Sequence, residues 1–227
     1  MTSPTSSSAH GIEADVADLA FDCIAVRADG YAAGPTLVFR VRIAETTGEA
    51  VHAMMLRCQL RIEPHKRRYS AEEARALDDV FGPPQRWADT QRPMQLASVS
   101  VMVPSFVGSI EVDIPVGCTY DLDVAHARYF AALADGDVPI LLLFSGTVFA
   151  RGSTGFEVTQ VPWHLDAAAH LPVAEWRRMM DEFFPGSGWL RLHRETLAAL
   201  GEYKSRTAAA TWEQAIELLL AEVNVRS

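Results

Sequence analysis

The chain has 227 residues, 20 basic and 29 acidic side chains, a formal charge of −9 and 3 cysteines. With 49% hydrophobic and 22% charged residues it is composed like a folded globular protein and is too apolar to be mainly disordered. Three cysteines cannot close a disulfide framework, and the acidic balance argues against non-specific nucleic-acid binding, which needs a basic footprint.

Residues 1–17 are rich in Ser, Thr, Pro and acid, lack periodicity, and are expected to form a disordered tail. They show no basic, apolar leader pattern, and the longest apolar run, Val138 to Phe144, is far below the roughly 18–20 residues of a membrane span. The expectation is a cytoplasmic location, with no membrane insertion and with Cys23, Cys58 and Cys118 reduced.

Period-two patterns follow. Leu37, Phe39, Val41 and Ile43 alternate with Val38, Arg40, Arg42 and Ala44, and Met54, Leu56, Cys58, Leu60 and Ile62 alternate with Met55, Arg57, Gln59 and Arg61. Each pattern predicts a strand with one buried and one wet face. The turn residues Thr46-Thr47-Gly48-Glu49 between them suggest an antiparallel hairpin. Ser70 stands three residues before Glu73, a capping box that opens a helix over 70–81, and Gly82-Pro83-Pro84 ends it. Strands resume at 96–103 and 109–116. Residues 124–133 read as a short alanine-rich helix, 138–150 as a central strand apolar on both faces, and 156–161 as a last strand. From Pro172 the period becomes 3.6. Trp176, Met179, Met180, Phe183 and Phe184 share one helix face, a core stripe, and Pro185-Gly186 ends that helix. A second helix presents Trp189, Leu192, Leu200 and Tyr203. A third is capped by Thr211 and aligns Trp212, Ala215, Ile216, Leu219, Leu220 and Val223. Strands first and helices last predict an α+β protein. The tail 1–17 would precede an antiparallel β-sandwich over 18–165 with one inserted helix, and a C-terminal three-helix unit over 166–227 would pack on the sheet.

Catalytic constellations are not visible. There is no GxGxxG or GxxxxGK[ST], no HExxH spacing among the seven histidines and no CxxC, so no cofactor or metal is expected. Ser145-Gly146 lacks the GxSxG context and reads as small residues permitting close approach of a neighbour. Cys118 reads as a small core residue. Against this plain background one feature is basic. Arg40, Arg42, Arg57, Arg61, His65, Lys66, Arg67 and Arg68 gather around the supposed hairpin, followed by Tyr69. Guanidinium forks suit carboxylates, so Arg40, Arg42, Arg57, Arg61, Arg67, Arg68 and Tyr69 are the candidate partner-binding residues. The partner would be a protein with an acidic surface. The alternative is a small-molecule-binding sandwich or enzyme with a site between the sheet and the C-terminal helices, near Trp163, His164 and Trp189. A purely structural, self-associating protein is a third possibility.

The segments RIEPHKRRYSAEEARAL from Arg61, VFGPPQRW from Val80, EVDIPVGCTYDLDV from Glu111, VPILLLFSGTVF from Val138, QVPWHLDA from Gln160 and FFPGSGWLRLHRETLAALGEYK from Phe183 together resemble an uncharacterised actinobacterial family, a domain of unknown function. The resemblance runs from about residue 18 to 223 and brings no catalytic residues. It implies an accessory or assembly role linked to NiFe hydrogenases, near whose genes members are often encoded. A hydrogenase or one of its accessory proteins would then be the partner. The chain is not itself a nickel-bearing subunit, because that site needs paired CxxC motifs.

Overall fold

The computed structural model describes residues 18–118, 124–152, 155–186 and 192–226. Residues 1–17, the expected tail, lie outside these. The chain divides into two compact units, Met1–Gly186 and Ser187–Ser227.

The first unit is an α+β sandwich of two antiparallel sheets. One sheet has the order β1-β2-β6, built from Leu19–Ala28, Thr36–Glu45 and Ser109–Gly117. The other has β4 (Met94–Val103), β3 (Ala50–Ile62), β7 (Asp137–Gly152) and β8 (Gly155–Gln160) in that order. The two-residue strand β5, Phe106–Val107, also lies on β3, and β9, Asp166–Pro172, lies on β7. The long β7 gives one edge to β3 and shares the other between β9 and β8. Alternation puts one row of each strand inward. Leu37, Phe39, Val41 and Ile43 of β2 share a core with Leu56, Cys58, Leu60 and Ile62 of β3 and Leu142 and Phe144 of β7. The rings of Phe21 and Phe144 stack across the two sheets with centroids 4.2 Å apart. At the helical side, α1 (Ala71–Ala76), α2 (Asp78–Phe81), α4 (Val124–Ala132) and α5 (Val173–Phe183) bring Leu77, Phe81, Tyr129, Phe130, Trp176 and Met179 to the same core. The short α3, Trp87–Thr90, supplies the half-buried Trp87.

Several expectations hold. Ser70 caps α1 with both halves of the capping box made, and Gly82, at φ +72°, ends α2. Of the expected core stripe, Trp176 and Met179 are buried and Met180 and Phe183 pack against the core, while Phe184 is half-buried. Others are corrected. The two strands thought to form a hairpin belong to opposite sheets: β2 pairs with β1 and β6, and β3 with β4, β5 and β7. The residues between them form an arch. The buried Glu45 carboxylate accepts from Thr47 N at 2.9 Å and Gly48 N at 2.8 Å, while Glu45 N donates to Gly108 O. Period-two alternation tells which face of a strand is buried and is indifferent to whether the next strand lies beside it or opposite it.

Three strands escaped the pattern, the two-residue β5 and the longer β1 and β9. In β1 a bulge between Cys23 and Ala25 shifts the register, which breaks the alternation of LAFDCIAVRA. The alanine-rich β9, assigned above to the helical unit, is a strand because the central β7 offers it an edge, so 156–161 is not the last strand. Residues 70–81 form two short helices joined at Leu77.

The second unit holds α6, Arg194–Arg206, and α7, Trp212–Arg226. Tyr203, Ala209 and Ala215 form its small core, and Tyr203 OH donates to Glu222 at 2.8 Å. Thr211 accepts from Gln214 N as expected. Leu220 and Val223, placed on a packed face by the sequence, are exposed, and Leu192 precedes α6. Trp189 lies outside the described residues. No helix of the described chain is long and apolar enough to cross a membrane.

Candidate partner-binding face

The seven candidate residues do not form one patch. Arg40 and Arg42 do project outward, but from the first sheet, where pairing has placed acids beside them. Asp113 of β6 lies opposite Arg40, and Arg42 stands between Asp22 and Glu111. Arg40 grips Asp113 through two bonds of 2.8 and 3.0 Å, Arg27 adds a third at 3.1 Å, and Arg42 reaches Glu111 at 3.1 Å. The hydrogen bond from Arg40, with burial opposing it, holds the Asp113 carboxyl below its usual range. This flank is an internally balanced ladder.

Arg67 is committed to the interior. Its side chain is 8% exposed and donates to Glu73 at 2.9 Å and to Asp135 O. Glu73 also accepts from Ser70 N and Ala134 N, so one carboxylate ties the start of α1 to the turn after α4. Tyr69 OH donates to Pro64 O at 2.8 Å and its oxygen lies 3.0 Å from Tyr129 OH. Lys66 pairs with Glu63. Arg68 is exposed.

Arg57 and Arg61 are different. Both project from β3 onto the outer face of the second sheet. Arg57 Nε donates to Ser98 Oγ of β4 at 3.2 Å, and Arg61 donates to Gln59 Oε1 at 3.1 Å. Gln59 in turn donates to Gln95 Oε1 of β4 at 2.7 Å. Among the described residues no carboxylate lies within ion-pair distance of either guanidinium. The same face carries Met55 and Met102, directly paired across β3 and β4 and 54% and 62% exposed. On β7, Leu141 and Leu143 are half-buried opposite Arg61 and Gln59. The result is a pair of cations with no carboxylate partner among the described residues, on a partly apolar sheet face. The sequence made the arginines visible. It also put Met55 on their wet row, but that Met102 stands opposite depends on the β3–β4 register, which the sequence does not give.

Among the described residues no group of three or more His, Cys, Asp or Glu side chains comes together as a metal site. Cys118 is buried with its thiol pushed up to about 12 by desolvation. Trp163 is 88% exposed. An open groove beside the turn after α4 is lined by Arg177 and Arg178, but Arg177 already caps Leu133 O and Ala134 O, and Arg178 pairs with Glu175. Gly146 is the close-approach residue expected of the Ser145-Gly146 pair. A Cβ there would lie 2.0 Å from Met55 O.

A protein-family model described as "Family of unknown function (DUF6084)" matches residues 16–227. No curated protein matches in sequence. Among solved structures the fold is similar to part of a β-glucosidase from Kluyveromyces marxianus, determined as the Se-Met-labelled protein, at TM-score 0.25 and 8% identity. The match covers 68% of this chain and spans 14% of that one, and no property of the enzyme is carried over.

Proposed function

Since the chain belongs to DUF6084, a family of unknown function, we propose from the site alone that it is a non-enzymatic protein-binding or assembly module. Its binding face is the outer surface of the second sheet, and its partner is a protein presenting carboxylates there. One observation carries this reading: among the described residues Arg57 and Arg61 have no carboxylate partner on a methionine-bearing face, while Arg27, Arg40 and Arg42 are neutralised within the first sheet. Burying that face without an anion would desolvate two guanidiniums for no return, so the occupant must bring the charge. Methionines suit such a surface because their soft, unbranched side chains adapt to a partner's shape.

The test is affinity capture of partners by the wild-type chain, by Arg57→Glu/Arg61→Glu, and by Arg40→Gln/Arg42→Gln as a control. The protein recovered is then purified and titrated directly. A hydrogenase or one of its accessory proteins is the first bait, as the family resemblance implies. The expected outcome is unchanged affinity for the control and at least about a tenfold loss, ~1.4 kcal/mol, for the charge reversal. Affinity should also weaken with added salt. Equal affinity of all three variants would remove this face from the function.

A further inference from the structure

The exposed flank of the second sheet does not stop at its outer face. It continues around the free edge of β4. Among the described strands, only β4 and the two-residue β5 carry neither a charged residue nor a proline. β4 is 10 residues long and, among the described residues, pairs on one side only, with β3. Sheet edges of that length are normally blunted by charge, proline or a bulge, because their open N–H and C=O groups template another strand. β4 has one irregularity, at Leu96, where its register on β3 shifts, and from Ala97 to Val103 it pairs without another. The other edges are blunted by charge as well: β6 has Glu111, Asp113 and Pro115, and β1 has Asp22, Arg27 and a bulge.

Two further observations say what the edge accepts. The inward row of β4 is incompletely covered. Val99 and Val101 are half-buried, whereas Leu56, Cys58 and Leu60 beside them on β3 are fully buried. Ile110 and Val112 on the facing edge strand β6 are half-buried too. An apolar seam therefore opens alongside β4. On the outward side, the bond from Arg57 Nε to Ser98 Oγ draws its guanidinium over β4 itself. A strand added to β4 would run about 4.8 Å further out, within reach of that group. Successive residues of such a strand point to opposite faces. Alternate side chains would thus drop onto the apolar seam and rise beside Arg57.

We propose that the free edge of β4 takes up an extended segment of a partner protein, alternating apolar and acidic residues, as an added strand. This rests on the acidic-partner reading and specifies its form: main-chain hydrogen bonds give the affinity, and the seam and Arg57 set the pattern.

The probe is a synthetic peptide of about ten residues, matched to the length of β4, that alternates Val or Thr with Glu. Counterparts carry Lys in place of Glu, or proline at every third position. Binding to the full-length chain is followed by fluorescence anisotropy, by amide hydrogen exchange over 94–103, and by sedimentation. The Glu peptide should bind and slow exchange at β4 by tenfold or more. The Lys peptide should bind at least tenfold more weakly, and the proline peptide not at all. In Arg57→Glu the preference between the Glu and Lys peptides should reverse. Binding that leaves β4 exchange unchanged, equal binding of the two charged peptides, or an edge occupied by a second copy of this chain would each overturn the proposal. If Arg57→Glu/Arg61→Glu loses the captured partner while β4 exchange stays unaltered, the sheet-face reading survives and the added strand falls. If the peptide protects β4 but the captured partner ignores the charge reversal, the added strand stands and the face reading falls.

Discussion

At Gly146 a single missing methyl group lets β7 and β3 pair. Its φ is +145°, a region L-residues with side chains rarely enter, and a Cβ would meet the Met55 carbonyl oxygen at 2.0 Å and its carbon at 3.1 Å. Those atoms are backbone in the middle of the sheet and cannot swing aside. Gly146→Ala is therefore expected to destabilise by well over about 1 kcal/mol, read as a lower urea midpoint, and to disturb the Met55–Arg57 stretch beside the binding face. An unchanged midpoint would mean that the two strands can separate locally at little cost. The smallness of this position was legible in the sequence, but the atom that requires it was not, because Met55 lies 91 positions away and only pairing brings it there. Glu73 is a similar case. Its capping role follows from Ser70 three residues earlier, while its contacts with Arg67 and Ala134 depend on where α4 ends.

Elements were legible where a strand's inward row ran unbroken, as in β2, β3 and β6, and illegible where tertiary pairing overrode local pattern, as in β1 and β9. Partner choice was the larger loss. Placing β2 and β3 side by side merged two arginine pairs that belong to opposite outer surfaces of the sandwich, one neutralised and one open. What directs the chain from one sheet to the other is the arch after β2, held by the buried Glu45. Glu45→Gln replaces an acceptor-only carboxylate that satisfies two backbone N–H groups with an amide that cannot do so as well. A loss of about 1 kcal/mol is expected in urea unfolding. Arg40→Gln, at an exposed ion pair that leaves Asp113 still held by Arg27, should lower the midpoint less than Glu45→Gln does. The reverse order would show that the surface ladder, and not the arch, secures the first sheet.

For the whole molecule, the carboxylates that matter to folding all point the same way with pH. Burial pushes Glu45 and Glu73 up, but hydrogen bonds outweigh it, from Thr47 and Gly48 in one case and from Ser70, Ala134 and Arg67 in the other. The bonds from Arg40 to Asp113 and from Arg178 to Glu175 lower those groups against weaker desolvation. A folded-state value below the unfolded one adds stability above the unfolded pKa, about 3.9 for Asp and 4.3 for Glu, and that stability is lost as pH falls through the folded value. The urea midpoint should thus be nearly level from pH 7 to about 5 and drop below about 4. Glu73→Gln should be less stable at pH 7 by about 3 kcal/mol, the scale of a buried pair losing one partner, and should show a shallower acid decline. A variant whose acid decline matches the wild type would exclude Glu73 as a source of that dependence.

The arch also has a temporal consequence. Because it sends consecutive strands to different sheets, β3 leaves the ribosome with neither of its long neighbours made. Arg57 faces Ser100 on one side and Ser145 on the other, so the centre of the second sheet must wait for almost the whole sandwich to be synthesised. In the first sheet, Arg42 meets Glu111 only 69 residues later. Such distant closures place the domain among slow folders, on the order of milliseconds to seconds. In that interval the uncharged β4, already emerged with β3 as its one neighbour and its other edge bare, is the segment most in need of a chaperone's cover.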